Sequence, residues 1–426
     1  MTGTGGERVA YARAAAAPAS LPRAALRFLA HRGLRALTLA QAAAMRVASL
    51  VGRRVRPVPP EGADVLVTGT FYAENWLAAH LRPIALSRGC RRLTVVTQFP
   101  VPAYENTVWV PPPAALRRVV GGTPARLLTF AWLALRERPH VLGGFHLLLN
   151  GLVTQLLARL CGARSLYFCG GGPTEVLDGG VWSENRLFRR METPDAIVER
   201  RLLAAVGRFD HVVTMGRRAI DFFRARGADT DFRVISGGID TAQFAPAAEA
   251  PVADVVFVAR LSRVKRVDLL LRALALVARS RPQTTAIIVG DGPLLEDLRA
   301  DARELGLAAA VTFAGHQKDV ESWLRKGRVF ALTSDSEGLS LALMEAMLCG
   351  LPAVVSDVGD LPELVEHGVN GYLVTERTPE AFAAPLAELL SDPARLARFS
   401  QAARAAALRY DVRETARRWD DLFLAR

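Results

Sequence analysis

Two carboxylates eight residues apart, Glu337 and Glu345, stand where chemistry can be done. Glu337 lies in a small polar turn with Ser334, Asp335, Ser336 and Gly338, whereas Glu345 sits in LALMEAML, a run of strong helix formers. One carboxylate thus precedes a helix and the other lies in its first turns. The backbone N–H groups of Gly338, Leu339 and Ser340 are then the expected unpaired donors at the helix start, where the macrodipole favours an anion. A phosphate seat with a carboxylate on either side suits a ligand carrying a diphosphate and two polyols. A capped helix leading through Gly350-Leu351-Pro352 into a buried strand, Ala353 to Val355, would explain the same residues without any ligand.

Cations for such a ligand occur in VARLSRVKRVD, where Arg260 and Lys265 follow an apolar run. A loop at a strand end can aim both at one diphosphate and neutralise it as it leaves; two solvated surface cations would look the same. Lysine is otherwise rare, occurring only at 265, 318 and 326. Gly290-Asp291-Gly292-Pro293 is a tight strand-to-helix turn. His146 ends the run VLGGFH, where a core role competes with a functional one, and Gly69 and Gly170 to Gly172 permit either close ligand approach or tight turns.

These residues need a scaffold, and the pattern supplies one. Short apolar runs at 64–68, 93–97, 107–110, 141–145, 165–169 and 211–215 alternate with helical stretches, as do those at 254–258, 285–289, 311–314, 329–333 and 353–355. Such alternation predicts mainly parallel, doubly wound α/β sheets, with ligands beyond the carboxyl ends of the strands. A chain of 426 residues exceeds one ordinary core, so two domains are expected. Cys90, Cys161, Cys169 and Cys349 have neither zinc-site nor disulfide-framework spacing, which points to a reducing cytoplasm.

The net charge of +12 is concentrated at one end. Residues 1–60 hold ten Arg against Glu7 alone, 10 − 1 = +9, leaving 12 − 9 = +3 for the other 366 residues. A general nucleic-acid binder is excluded by that distribution. Residues 1–20 are Gly/Ala-rich and expected to be loose, while 21–56 mix apolar residues and Arg at helical spacing. Arg23, Arg27, His31 and Arg35 share a face at i, i+4, which either contacts an anionic membrane or faces water on a helix packed against the domain. A signal peptide fits poorly because Arg interrupts every apolar run.

Residues 331–374 resemble, nearly position by position, the signature of retaining GT-B glycosyltransferases of the family 4 group. The matching features are Glu337-x7-Glu345, Ala346 to Val354 (AMLCGLPAV), Leu361 to Val365, and Gly368 to Gly371. The resemblance implies a GT-B fold, two Rossmann-like doubly wound parallel-sheet domains facing a cleft. The expected divisions are a basic segment at 1–60, an acceptor domain at 61–236, a donor domain at 237–410, and a last helix, 411–426, crossing back to the first domain. It further implies that Arg260 and Lys265 bind the donor diphosphate, Glu345 the ribose and Glu337 the transferred sugar. His146 would lie near the reacting sugar and FAGH, ending in His316, along the nucleobase pocket; Gly290, Gly338, Leu339, Ser340 and Gly69 complete the expected donor site. Departures from the pattern are Ser236 for Asn, Arg266 and Asp360 for Gly, and Ser340 where Gly is frequent.

The implied activity moves a sugar from a UDP- or GDP-sugar to a glycan or lipid-linked acceptor, with neither metal nor cofactor, in the cytoplasm or on the inner face of the cell membrane. The alternative is a non-catalytic nucleotide-sugar-binding subunit of such a complex. An oxidoreductase is disfavoured because no Gly-x-Gly-x-x-Gly opens either half.

Overall fold

The computed structural model describes residues 21–71, 74–183 and 185–424; the loose segment expected at 1–20 lies outside them. The chain divides into two compact units, Met1–Ser236 with Ala416–Arg426, and Gly237–Thr415.

Unit 1 is built from α1 (Leu21–Val51), β1 (Ala63–Thr68), α2 (Glu74–Leu86), β2 (Cys90–Val96), β3 (Thr107–Val110), α3 (Ala114–Val120) and α4 (Gly122–Glu137). It continues with β4 (Val141–Phe145), α5 (Leu152–Cys161), β5 (Arg164–Cys169), α6 (Arg186–Arg189), α7 (Ala196–Val206), β6 (His211–Thr214), α8 (Arg217–Ala225) and β7 (Asp231–Val234). All seven strands are parallel, in the order β3-β2-β1-β4-β5-β6-β7. The chain reverses direction across the sheet between β1 and β4, where a doubly wound sheet opens a crevice at its carboxyl edge.

Successive strand residues point to opposite faces, so each strand serves two cores. Val65, Val67, Val141 and Phe145 pack with α2 and with Trp419, Leu422 and Phe423 of the last helix. Leu66, Val96 and Leu142 instead pack with Phe130 and Leu133 of α4 and Leu157 and Ala158 of α5. Because both faces are covered, the central strands contain hardly any polar residues.

Helix α1 forms an outer layer against α5 and α7. Leu34, Thr38, Met45 and Ala48 are its buried stripe, and the Gln41 side chain donates to the Leu152 carbonyl at 2.8 Å. The expectation that His31 and Arg35 face water or a membrane is corrected. His31 Nδ1 lies 2.7 Å and Arg35 Nε 2.8 Å from Asp195 Oδ2, a carboxylate with no exposed side-chain surface. Asp195 also caps α7, accepting from the Ile197 and Val198 N–H groups at 3.1 Å each. Burial alone would raise its pKa, yet these donors and the Arg35 charge hold it below the usual carboxylate value. The stabilisation it contributes is therefore present above the unfolded pKa and lost as pH falls through the folded one. Asp195→Ala removes the cap and leaves Arg35 and His31 without their shared acceptor, with an expected cost of about 2–4 kcal/mol, measurable by denaturant unfolding at neutral pH.

Unit 2 contains β8 (Ala253–Val258), α9 (Val267–Ser280), β9 (Ala286–Val289), α10 (Leu295–Glu304), β10 (Val311–Gly315), α11 (Val320–Leu324) and β11 (Gly327–Leu332). Then follow α12 (Leu341–Leu348), β12 (Ala353–Ser356), β13 (Gly371–Val374), α13 (Pro379–Ser391) and α14 (Pro393–Ala407). Its parallel sheet has the order β10-β9-β8-β11-β12-β13. The last helix, α15 (Val412–Leu424), carries the chain from unit 2 into unit 1. Strands β7 and β13 are not among the expected apolar runs: β7, DFRV, alternates polar and apolar residues, and β13 begins within the expected Gly368–Gly371 turn.

Candidate functional site

Neighbouring strands β8 and β11 bring their following loops side by side. Backbone bonds stitch the loops together: the Asp335 N–H donates to the Val264 carbonyl at 2.8 Å, and the Thr333 hydroxyl lies 3.1 and 2.8 Å from the Lys265 and Arg266 carbonyls. Two residues 72 apart in sequence meet as a result. Lys265 Nζ is 2.6 Å from Glu337 Oε1, which also accepts from the Ser334 hydroxyl at 2.5 Å. Both side chains are mostly buried, 21% exposed for Lys265 and 8% for Glu337.

Arg266 occupies a left-handed conformation, φ 47°, which explains why glycine suits this position in the pattern. Its guanidinium offsets the strain by pairing with Asp268 at 3.1 Å and Asp335 at 3.3 Å. Gly359 has a sharper requirement: a Cβ there would lie 1.9 Å from the Glu337 carbonyl oxygen. Gly290, at φ 137°, would place a Cβ 1.9 Å from the Ala259 carbonyl, so its need is explained by the packing of two strand-end loops.

The expected anion seat is shifted by the structure. Ser340 is the N-cap of α12, with extended dihedrals and its hydroxyl accepting from the Leu343 N–H at 3.4 Å. The first-turn donors therefore belong to Leu341, Ala342 and Leu343, whereas Gly338 and Leu339 precede the helix, and the Leu339 side chain is buried. Arg260 is exposed and makes no side-chain hydrogen bond or ion pair among the described residues. His316 is exposed after β10, next to Gly315 at φ 69°.

Glu345 is only 2% exposed, and its Oε2 has no hydrogen-bond partner among the described residues. Burial first, and then the charge of Glu321 on α11, push its pKa up to about 8. Glu321 also has a buried carboxylate oxygen, Oε2, without a partner among the described residues. A buried acid whose oxygen has no partner carries a desolvation cost that a ligand's hydroxyl can relieve. Glu321 has no sequence signal of its own, since its proximity to Glu345 depends on how α11 and α12 pack.

In unit 1, His146 directly follows β4 at φ 66°, a strained backbone for a non-glycine residue. Its Nδ1 lies 3.0 Å from Glu175 Oε1. Glu175 is buried and also accepts from the Leu147 and Gly171 N–H groups at 2.7 and 2.8 Å and from the Tyr167 hydroxyl at 3.0 Å. Burial would raise its pKa, but the His146 charge and these donors hold it down. A carboxylate so held keeps the proton of the imidazole on Nδ1 and fixes the ring. Sequence reasoning missed Glu175, although it follows Gly170 to Gly172 by three residues in FCGGGPTE. Gly69 packs beneath Phe145 and Phe71, where a Cβ would approach to 2.8 and 2.9 Å, so close side-chain packing accounts for it.

Residues 239–406 match the family model described as Glycosyl transferases group 1. A D-inositol 3-phosphate glycosyltransferase of Thermobispora bispora is 32% identical over 50% of this chain and 54% of its own length. A GDP-mannose-dependent alpha-(1-6)-phosphatidylinositol monomannoside mannosyltransferase of Mycolicibacterium smegmatis is 33% identical over 49% of this chain and 60% of its own. The chain therefore spans only 54% and 60% of these two curated relatives. Among solved structures, Anabaena Alr3699/HepE in complex with UDP-glucose matches with TM-score 0.67 and 20% identity, over 85% of this chain and 100% of that one. The sucrose-phosphate synthase of Thermosynechococcus elongatus matches with TM-score 0.69 and 18% identity, over 85% and 98%. Two parallel-sheet units with these structural likenesses make the fold GT-B, and residues 239–406 carry the glycosyl transferases group 1 pattern.

Proposed function

We propose that the chain is a retaining glycosyltransferase of the family 4 type, using a UDP- or GDP-sugar. The observation that carries this is the Lys265–Glu337 pair at 2.6 Å, followed eight residues later by a buried carboxyl group with an unpartnered oxygen. Relatives named as glycosyltransferases and fold neighbours bound to UDP-glucose support the same reading.

In this scheme Glu345 holds the donor ribose and Glu337 the hydroxyls of the transferred sugar. Lys265, Arg260 and the first N–H groups of α12 meet the diphosphate. The bond between the anomeric carbon and the phosphate oxygen breaks, and the nucleoside diphosphate leaves with its charge stabilised electrostatically, without metal. The acceptor oxygen bonds to the anomeric carbon on the face the diphosphate vacates, and its proton passes to a phosphate oxygen. Within unit 1, Glu175 orients the imidazole of His146, the residue that the family resemblance associates with the sugar. The acceptor is a glycan or a lipid-linked intermediate, met in the cytoplasm at the inner face of the cell membrane.

The test is nucleotide release from a panel of UDP-, GDP- and ADP-sugars, with and without membrane lipid extract and EDTA. Lipid-dependent release from one donor, undiminished by EDTA, is expected. Tight nucleotide-sugar binding without release from any donor would instead mark a non-catalytic donor-binding subunit.

A further inference from the structure

Docking the Leu34–Thr38–Met45–Ala48 stripe of α1 inward, with His31 and Arg35 beside it, leaves the opposite, largely apolar face outward. Phe28, Leu29, Leu39, Val47 and Leu50 are each more than half exposed. At 100° per residue they fall on one arc opposite Leu34, Thr38, Met45 and Ala48. The arc also carries Arg32, whose guanidinium lies 5.2 Å from the centre of the Phe28 ring, and the exposed Arg46. No acidic residue occurs anywhere in α1. By length and composition, residues Arg23–Val51 could cross a membrane, and most of this apolar stretch is left unburied.

A second apolar stripe lies on the same side of the sheet. Helices α4 and α5 share one core beneath the sheet, and α1 lies over α5, so α1 and α4 flank the same helix. On α4, Leu128, Trp132 and Leu135 recur at i, i+4, i+7, each more than half exposed, and Arg136 stacks over Trp132 at 4.9 Å.

We infer that the outward face of α1, together with the Leu128–Trp132–Leu135 stripe of α4, lies in the interface of an anionic lipid bilayer. The apolar arc enters the acyl boundary while the arginines beside it meet lipid phosphates. Charge complementarity selects the occupant, since an apolar face that carries arginines and, along α1, no acidic residue matches an anionic membrane and repels an identical face on a second copy. Helix α1 lies in the plane rather than spanning the bilayer, because His31, Arg35, Gln41 and the Arg53 N–H tie its inner side to unit 1 along its length. This deepens the proposal of a membrane-presented acceptor and rests on that reading for its setting. It replaces the arginine face expected from spacing with the opposite, apolar one.

The experiment is co-sedimentation of the full chain with vesicles of phosphatidylcholine alone or mixed with phosphatidylglycerol, read without any sugar donor, so that it fails or succeeds independently of transfer. Binding to the anionic vesicles is expected, weakened about tenfold or more by Leu39→Glu with Leu50→Glu and, separately, by Trp132→Glu. Arg32→Glu with Arg46→Glu should weaken binding to anionic vesicles while leaving thermal unfolding unchanged. Quenching by brominated lipid that disappears in Trp132→Phe would place that ring in the bilayer. Vesicle binding unaffected by the apolar substitutions would overturn the inference. So would a lipid-free dimer in wild type that Leu39→Glu with Leu50→Glu converts to monomer.

Discussion

Glu345→Gln is expected to lose nucleotide-sugar binding while becoming more stable than the parent at pH 8 and above. The wild-type carboxyl is buried without a partner for Oε2, and its pKa stands at about 8. Between the unfolded value near 4.5 and about 8, the unfolded chain ionises and the folded one does not. The folded state then binds more protons, so this group lowers stability progressively as pH rises through that window, by a few kcal/mol on the order of 1.4 per unit. Glutamine never ionises and escapes the penalty. Its amide cannot accept from two ribose hydroxyls as a carboxylate does, and the loss of charge-assisted bonds weakens donor affinity by about 10²-fold. If the bound form is the carboxylate, donor binding releases a proton near neutral pH. Calorimetric titration in buffers of different ionisation enthalpy would read that proton, and Glu321→Gln should reduce its release by removing the neighbouring charge. Unchanged donor affinity in Glu345→Gln would remove Glu345 from the site.

Lys265→Ala is expected to lower kcat/KM by about 10²–10³-fold, the range for losing one preorganised charge at a leaving group. Its effect on folding has the opposite sign to that of Glu345→Gln. The substitution leaves the Glu337 carboxylate, 8% exposed, with the Ser334 hydroxyl as its remaining side-chain partner among the described residues, so the melting temperature should fall. Lys265→Arg keeps the charge but not the compact ammonium geometry, and should recover stability better than turnover. Adding Glu337→Gln to Lys265→Ala removes the stranded charge and should restore part of the stability without restoring transfer. A double-mutant cycle measured on melting temperature and on kcat/KM separates the two roles. Equal losses in both would reduce the pair to a structural bridge.

The legibility of the site followed its locality. Glu337, Glu345 and the helix that begins between them lie within one short segment, so spacing and helix propensity placed one before the helix and the other inside it. The helix start was misplaced because Ser340 can cap as well as enter a helix, and only backbone dihedrals distinguish the two. The Lys265–Glu337 contact spans 72 residues and follows from β8 lying beside β11, an order that local pattern does not contain. Glu175 shows the same limit, since two of its donors, the His146 ring and the Leu147 N–H, come from the loop after β4, 29 and 28 residues away.

By itself, the sequence determined the alternation of strand and helix, hence two parallel α/β sheets, because apolar period and length are local properties. It also determined the charge asymmetry and the identity of the chemical groups. Tertiary structure alone decided which face of α1 turned inward. Both faces carry apolar residues and arginine, and the choice came from Asp195, a buried carboxylate 160 residues beyond Arg35 that demanded cationic partners. Burying that charge unpaired would cost more than exposing a row of leucines, and the arc of Phe28, Leu29, Leu39, Val47 and Leu50 was left outward.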